Sequence, residues 1–197
     1  MKSFRLVASS IVVGLLLRLV AMRGEARQAT PPGGTPAAEV VPGLVTYDVP
    51  SAAHTTDAVD YPQNPPAGGP HNPVPQTCGF YEQPVRNENA VHSLEHGAVW
   101  ITYRPDLPAD QVALLKQLAE PNDYVLVSPY PGLPAPIVAS AWGKQLWLES
   151  ADDPRLQQFI ALFAANGPEP GASCSGTTET VPFASPTAGT PAASPAP

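Results

Sequence analysis

Sulfur is scarce in this chain, with two cysteines and two methionines in 197 residues. Both methionines, Met1 and Met22, fall in the first 26 residues, so a chain cut after that point carries no thioether ligand for Cu⁺. The cysteines, Cys78 and Cys174, are even in number and far apart, which in an exported protein reads as a disulfide rather than a redox or metal pair. Closing a loop of that size is worth about 4.7 kcal/mol in the chain-entropy picture, and usually less when measured. Cys78 is a poor nucleophile for the same reason. Gln76-Thr77-Cys78-Gly79 also lacks the fuller local signature of a cysteine protease.

Basic residues are also few. Ten Lys/Arg stand against seventeen Asp/Glu, a formal net charge of -7. Removing residues 1–26 leaves six against sixteen. Such a surface repels phosphate backbones, so neither nucleic acid nor an anionic membrane is an expected partner. No apolar run is long enough to cross a bilayer unbroken. The stretch from Leu6 to Leu17 follows Lys2 and Arg5 and is interrupted by Arg18, whereas a spanning helix needs about 20 apolar residues. This is the pattern of a secretory signal, with Gly24 and Ala26 offering a cleavage site. Leu19 to Met22 extend the apolar stretch, so an uncleaved anchor is the second reading of residues 1–26 and the one route to membrane attachment. No cysteine near the signal provides a lipoprotein anchor. The expected location is secreted or extracytoplasmic. The Gly-rich Ala67-Gly68-Gly69-Pro70 is not a phosphate cradle, because no Gly-Lys-Ser/Thr follows and Pro70 lacks a backbone donor.

Residues 27–43 are rich in Pro, Gly, Ala and Thr with almost no large apolar residue, and 175–197 are similar; neither can bury enough surface to order itself. A single globular domain over residues 44–174 remains, with no internal repeat. Its opening run Leu44 to Tyr47 suggests a short strand. Tyr61 to Pro75 is too dense in Pro and Gly for a regular element, yet its prolines favour a fixed shape. Ala98 to Tyr103 reads as a buried strand. A helix follows, with Asp106 as N-cap, Pro108 in the first turn, an apolar stripe of Val112, Leu115, Leu118 and Ala119, and Pro121 at the end. Tyr124 to Val127 is a further strand, and Ile137 to Trp142 pairs with Gln145 to Leu148 across Gly143-Lys144. A last helix begins at Pro154 after Asp152 or Asp153, buries Leu156, Phe159, Ile160 and Phe163, and stops at Gly167. The order β-α-β-β-α predicts a small two-layer α/β (α+β) domain with a mixed sheet of about four strands and two main helices. Trp100, Trp142 and Trp147 read as core or sheet-face residues.

The blocks Tyr61-Pro62-Gln63-Asn64-Pro65-Pro66 through Gly69-Pro70-His71, then Gly79-Phe80-Tyr81, then Val91-His92-Ser93-Leu94-Glu95-His96-Gly97-Ala98-Val99, resemble the signature blocks of the domain-of-unknown-function family DUF3105. Tyr103-Arg104-Pro105-Asp106-Leu107, and Ser140 before Ala141-Trp142-Gly143, are similar as well. The resemblance spans nearly the whole folded region. It implies an extracytoplasmic bacterial protein, often with one N-terminal apolar segment, and no established activity.

The chemistry must therefore come from the residues. All four histidines lie between residues 54 and 96, and His92 to His96 reads H-x-x-E-H. On a helix, residues i and i+4 share a face, so both imidazoles reach one ion. On a strand they would stand about 13 Å apart, too far to share it. The expected metal site joins His92 and His96 to His71 from the rigid loop, with Glu95 orienting a ring as an outer partner. Outside the cytoplasm such imidazoles meet copper or zinc, with Cu²⁺ or Zn²⁺ ranking above Cu⁺. The plainer alternative is that His92 and His96 hydrogen-bond backbone groups of the Pro-rich loop in a cell-envelope interaction module. A third reading takes Glu95 as the general base of an inverted zinc peptidase, but no distant acidic ligand stands out to complete it. His54 has no clear constellation and reads as an exposed loop histidine. No protein partner is indicated, and whether the chain is an enzyme stays open.

Overall fold

A computed structural model describes residues 41–169, 171, 172 and 174. The expected signal, most of the linker and the tail from 175 lie outside these. Val41, near the end of the expected linker, is fully buried in the core.

The chain order is β1 (Val45–Thr46), β2 (Gly79–Phe80), α1 (Asn87–Glu95), β3 (Val99–Tyr103), α2 (Ala109–Ala119), β4 (Val125–Pro129), β5 (Ile137–Ala141), β6 (Lys144–Leu148) and α3 (Pro154–Phe163). The strands form one mixed sheet in the order β1-β6-β5-β3-β4-β2. The α+β class agrees with the sequence reading, and the strand count is six rather than four. The additional edge strand β2, like β1, is two residues long, and so short a run carries no alternation to read in sequence.

Central β3 runs parallel to β4, and α2 supplies the crossover that a parallel pair requires. On its other side β3 pairs antiparallel with β5, and β5 with β6 in the expected hairpin. Ala141 faces Lys144, so the two-residue turn is Trp142-Gly143, one residue earlier than expected. Gly143 has φ 67°, which a tight hairpin turn demands of its second residue.

The strand period of two sorts side chains onto two faces. Val99, Ile101, Val125, Val127, Ile137 and Leu146 point to the face covered by α2 and α3. Leu115 and Ala119 from α2, with Leu156 and Phe159 from α3, fill that core; burying each large apolar side chain is worth about 1.5–3 kcal/mol. Asp153 caps α3, its side chain accepting from the Arg155 N–H, with Pro154 at the start. Two helix boundaries differ from expectation. Pro108, not Asp106, takes the N-cap position of α2, with no side-chain cap bond, and α3 ends at Phe163, the chain turning at Ala165 with φ 63° before Gly167 is reached.

The opposite face is covered too. Trp100, Leu126 and Val138 pack with Ala90 and Leu94 of α1, and the half-buried Trp142 and Trp147 border the cluster. Trp100 Nε1 donates to Ser128 Oγ at 3.0 Å, which satisfies the indole inside the core. This second layer is built from α1 and the Pro/Gly-rich segment, and it carries the histidines.

Candidate metal centre

Helix α1 is short, polar and almost entirely buried, with Glu88 through Glu95 all shielded from solvent. Burying polar groups is costly unless each finds a partner, and the segment 59–76 provides them. Glu88 Oε1 accepts from the Val59 N–H at 3.2 Å, and Asn89 Nδ2 donates to Val74 O at 2.6 Å. Ser93 Oγ donates to Gln76 O at 2.6 Å. The Asn72 and Gln76 N–H groups donate to Glu88 O and Asn89 O. The Pro-rich segment is thus a fixed wall around α1, as its prolines predicted, with Pro65 through Gly69 buried.

His71 sits in that wall and is 0% exposed. Its backbone forms an isolated parallel bridge with His54: the Thr55 N–H donates to His71 O at 2.7 Å and the His71 N–H to Ala53 O at 3.0 Å. Two backbone bonds therefore bring His54 to the cluster. Its ring stacks on His92 with centroids 5.0 Å apart, and His71 meets His92 edge-on at 4.9 Å. His92 on α1 and His96 at its C-cap lie one turn apart, the helical one of the two alternatives, with centroids 4.4 Å apart and ring planes at 89°.

The ring protons can be assigned from chemistry. His71 Nδ1 lies 2.8 Å from Gly69 O and His92 Nδ1 lies 2.6 Å from Asn72 O. A carbonyl only accepts, so both Nδ1 atoms carry the hydrogen and donate it. With Nδ1 carrying the hydrogen, the lone pair of the neutral form of either ring is on Nε2. His71 Nε2 lies 3.0 Å from Glu95 Oε2, and His92 Nε2 lies 2.9 Å from His96 Nε2. His96 Nε2 in turn lies 3.0 Å from Glu169 Oε2. A neutral His71 sets its lone pair against the Glu95 carboxylate, so a proton or a cation must lie between those two, while an Nε2–H on His96 can donate to His92 Nε2. Burial holds the His92 pKa below 6.5, helped by the neighbouring His96, His71 and His54 and only partly opposed by the bond to Asn72 O. His92 is therefore neutral at pH 7, the form that ligates metals. The cluster also lies at the C-terminal turn of α1, where the helix dipole favours positive charge.

Two groups of donors are close enough to hold an ion. His54, His71, His92 and Glu95 offer ligand atoms all within 4.8 Å of one another, and so do His92, His96 and Glu169. Ligand atoms around a first-row ion stand about 3–4 Å apart, given bonds of about 2.0–2.2 Å. His71, His92 and His96, expected as one set, do not form a single group: His92 belongs to both, while His71 and His96 are divided between them. Glu95, expected as an outer partner, offers its own oxygen beside His71. Two residues were missed. His54 is exposed, as expected, yet its Nε2 is 3.9 Å from Glu95 Oε2; the crowding of all four histidines into residues 54–96 was the signal for it. Glu169 had no sequence signal, because it is placed by the irregular turn after α3.

That turn depends on Gly97, which follows α1 with φ 93°. Ala165 N–H donates to Gly97 O at 2.9 Å and Glu169 N–H to Glu95 O at 3.1 Å. Only a residue without Cβ permits so close a backbone approach. Just beyond, Cys174 is disulfide-bonded to Cys78, and Cys78 N–H donates to Cys174 O at 2.8 Å. The expected pairing is thus present, and it fits an oxidising compartment. No helix among the described residues is long and apolar enough to cross a membrane.

Searches of curated proteins and of solved structures find no match to the chain. Residues 53–176 match the family described as Protein of unknown function (DUF3105), a span that holds the sheet's central strands, helices α1, α2 and α3, the disulfide and every residue of both donor groups. The chain belongs to the DUF3105 family.

Proposed function

We propose that this protein is an extracytoplasmic metal-binding domain whose ion, copper or zinc, is held by His71, His92 and Glu95 with His54 completing the set. One observation carries the reading: His71 and His92 both commit Nδ1–H to backbone carbonyls, which turns two Nε2 lone pairs inward next to a carboxylate. Metal-ligating histidines are commonly oriented in this way, by a carbonyl on the far ring nitrogen.

The donor set speaks to the ion. Three imidazoles and a carboxylate suit Zn²⁺ or Cu²⁺, and raw affinity favours Cu²⁺. Both cysteines are tied up in the disulfide, so no thiolate competes for a soft ion. The reading carries no reaction. In an inverted zinc peptidase Glu95 would hold a water on an ion bound by His92 and His96, whereas here its Oε2 is 3.0 Å from His71 Nε2.

The test is metal analysis of protein folded in an oxidising compartment, followed by titration with Cu²⁺ and Zn²⁺. One tightly held ion per chain is expected, lost in H71N and H92N variants. Wild-type protein that takes up neither ion would overturn the reading.

A further inference from the structure

We infer that the cluster is a two-station site for a single ion, in which His92 stays bound while the ion passes between an inner station of His54, His71, His92 and Glu95 and an outer station of His92, His96 and Glu169. This rests on the metal-binding reading above.

The argument begins with His92. Its Nδ1–H is held by Asn72 O, so it has one lone pair to give, on Nε2, and can ligate one ion at a time. Both donor groups include it. As complete sets they are therefore alternatives: an ion that holds His92 in one group leaves the other with only His54, His71 and Glu95, or only His96 and Glu169.

The two stations differ in strength. The inner one has three imidazoles and a carboxylate, with His71 fully buried and Glu95 nearly so. The outer one has two imidazoles and the Glu169 carboxylate, whose side chain is 60% exposed. Fewer ligands and a solvated carboxylate make the outer station the weaker holder, and each station has one exposed ligand, His54 in the inner and Glu169 in the outer. In the transfer, bonds from the ion to His71, Glu95 and His54 break as bonds to His96 and Glu169 form, while the bond to His92 persists. No proton or electron need be gained or lost.

The chemical consequence is kinetic. An ion leaving a four-ligand set in one step must shed all its bonds together, whereas replacing them in turn keeps it coordinated throughout. Glu169 is the first or last protein ligand on this route. It sits on an irregular segment between α3 and the disulfide, at the surface, where a donor or acceptor of the ion can reach it. The arrangement suits a protein that passes metal on, such as a carrier or a delivery module, more than one that locks it away.

Stopped-flow measurement of Cu²⁺ uptake, and of its removal by a chelator, separates the stations. In E169Q, both rates are expected to fall about tenfold, as a barrier raised by about 1.4 kcal/mol gives, with equilibrium affinity changing by less than about threefold. The exposed position of Glu169 makes that variant safe for folding, and H96N provides a second probe with the same expectation. Rates unchanged in both variants overturn the proposal, as does a slowing confined to H54A, which would make the exposed His54 side the door. Two Cu²⁺ ions bound per chain overturn it as well. Wild-type protein that takes up neither Cu²⁺ nor Zn²⁺ instead overturns the metal reading itself, so the two failures are told apart.

Discussion

His71 Nε2 and Glu95 Oε2 lie 3.0 Å apart, across 24 residues of chain, with the far side of the imidazole fixed to Gly69 O. The pair is buried and its geometry is set by backbone, so it cannot relax by turning the ring. If a cation sits between them, ligand should stabilise the fold by mass action. At free metal 100-fold above the dissociation constant the gain is about 2.7 kcal/mol. Adding Zn²⁺ to chelator-treated protein should therefore raise the midpoint of thermal unfolding, and E95Q should abolish most of the rise. A midpoint that ignores Zn²⁺ in the wild type would remove Glu95 and His71 from any zinc site.

The depressed His92 pKa gives a sign for pH dependence. In the unfolded chain His92 titrates at its ordinary value of 6.5, while burial keeps it deprotonated to lower pH in the folded protein. Between those two pKa values the unfolded state binds more protons, so this residue's contribution is full above 6.5 and is lost as pH falls below it. Metal-free protein should need less urea to unfold at pH 5 than at pH 7.5. NMR titration of the His92 ring gives the direct check, with a midpoint below 6.5 expected. A midpoint above 6.5 would mean that His92 carries the proton that bridges it to His96.

Much of the frame was legible because it is periodic. The apolar stripe of α2, the Asp153-Pro154 start of α3 and the β-branched run of β3 each repeat a pattern that only one element type satisfies. The i, i+4 spacing of His92 and His96 was legible for the same reason. The rest depends on contacts that leave no local trace. His54 is held by a single two-residue bridge to His71, and Glu169 by a turn that exists because Gly97 lets two backbones touch. Helix α1 hid for a further reason: it is buried through hydrogen bonds to the Pro-rich wall, so its polar sequence resembles that of an exposed segment.

The disulfide yields a prediction about the outer station. Cys78 and Cys174 are 96 residues apart, and the second lies five residues beyond Glu169. Removing the bond in a Cys78→Ser, Cys174→Ser double variant should lower the unfolding free energy by about 2–4 kcal/mol. It should also free the segment that holds Glu169 against His96, slowing Cu²⁺ exchange in the manner of E169Q while His71, His92 and Glu95 keep their places. Urea unfolding, with and without reductant, checks the first part. Unchanged exchange rates in the double variant would show that Gly97 and its contacts alone fix Glu169.

Gly97 allows that last point to be tested from the other side. At φ 93° a side chain is strained, and a Cβ there would stand 2.8 Å from Ala165 C, Asn166 N and Gly167 N. All three are backbone atoms, which cannot swing aside as a side-chain tip does. Gly97→Ala must therefore push the 165–167 segment away or unwind the end of α1, and either way the Ala165 N–H to Gly97 O bond is disturbed. We expect a loss of about 2–3 kcal/mol, at the upper end for a single substitution. Since the same contact carries Glu169 to His96, Cu²⁺ exchange should slow in G97A even where enough protein stays folded to bind the ion. A variant of wild-type stability would mean that the segment yields at little cost, and a carboxylate held so loosely could not serve as a defined ligand.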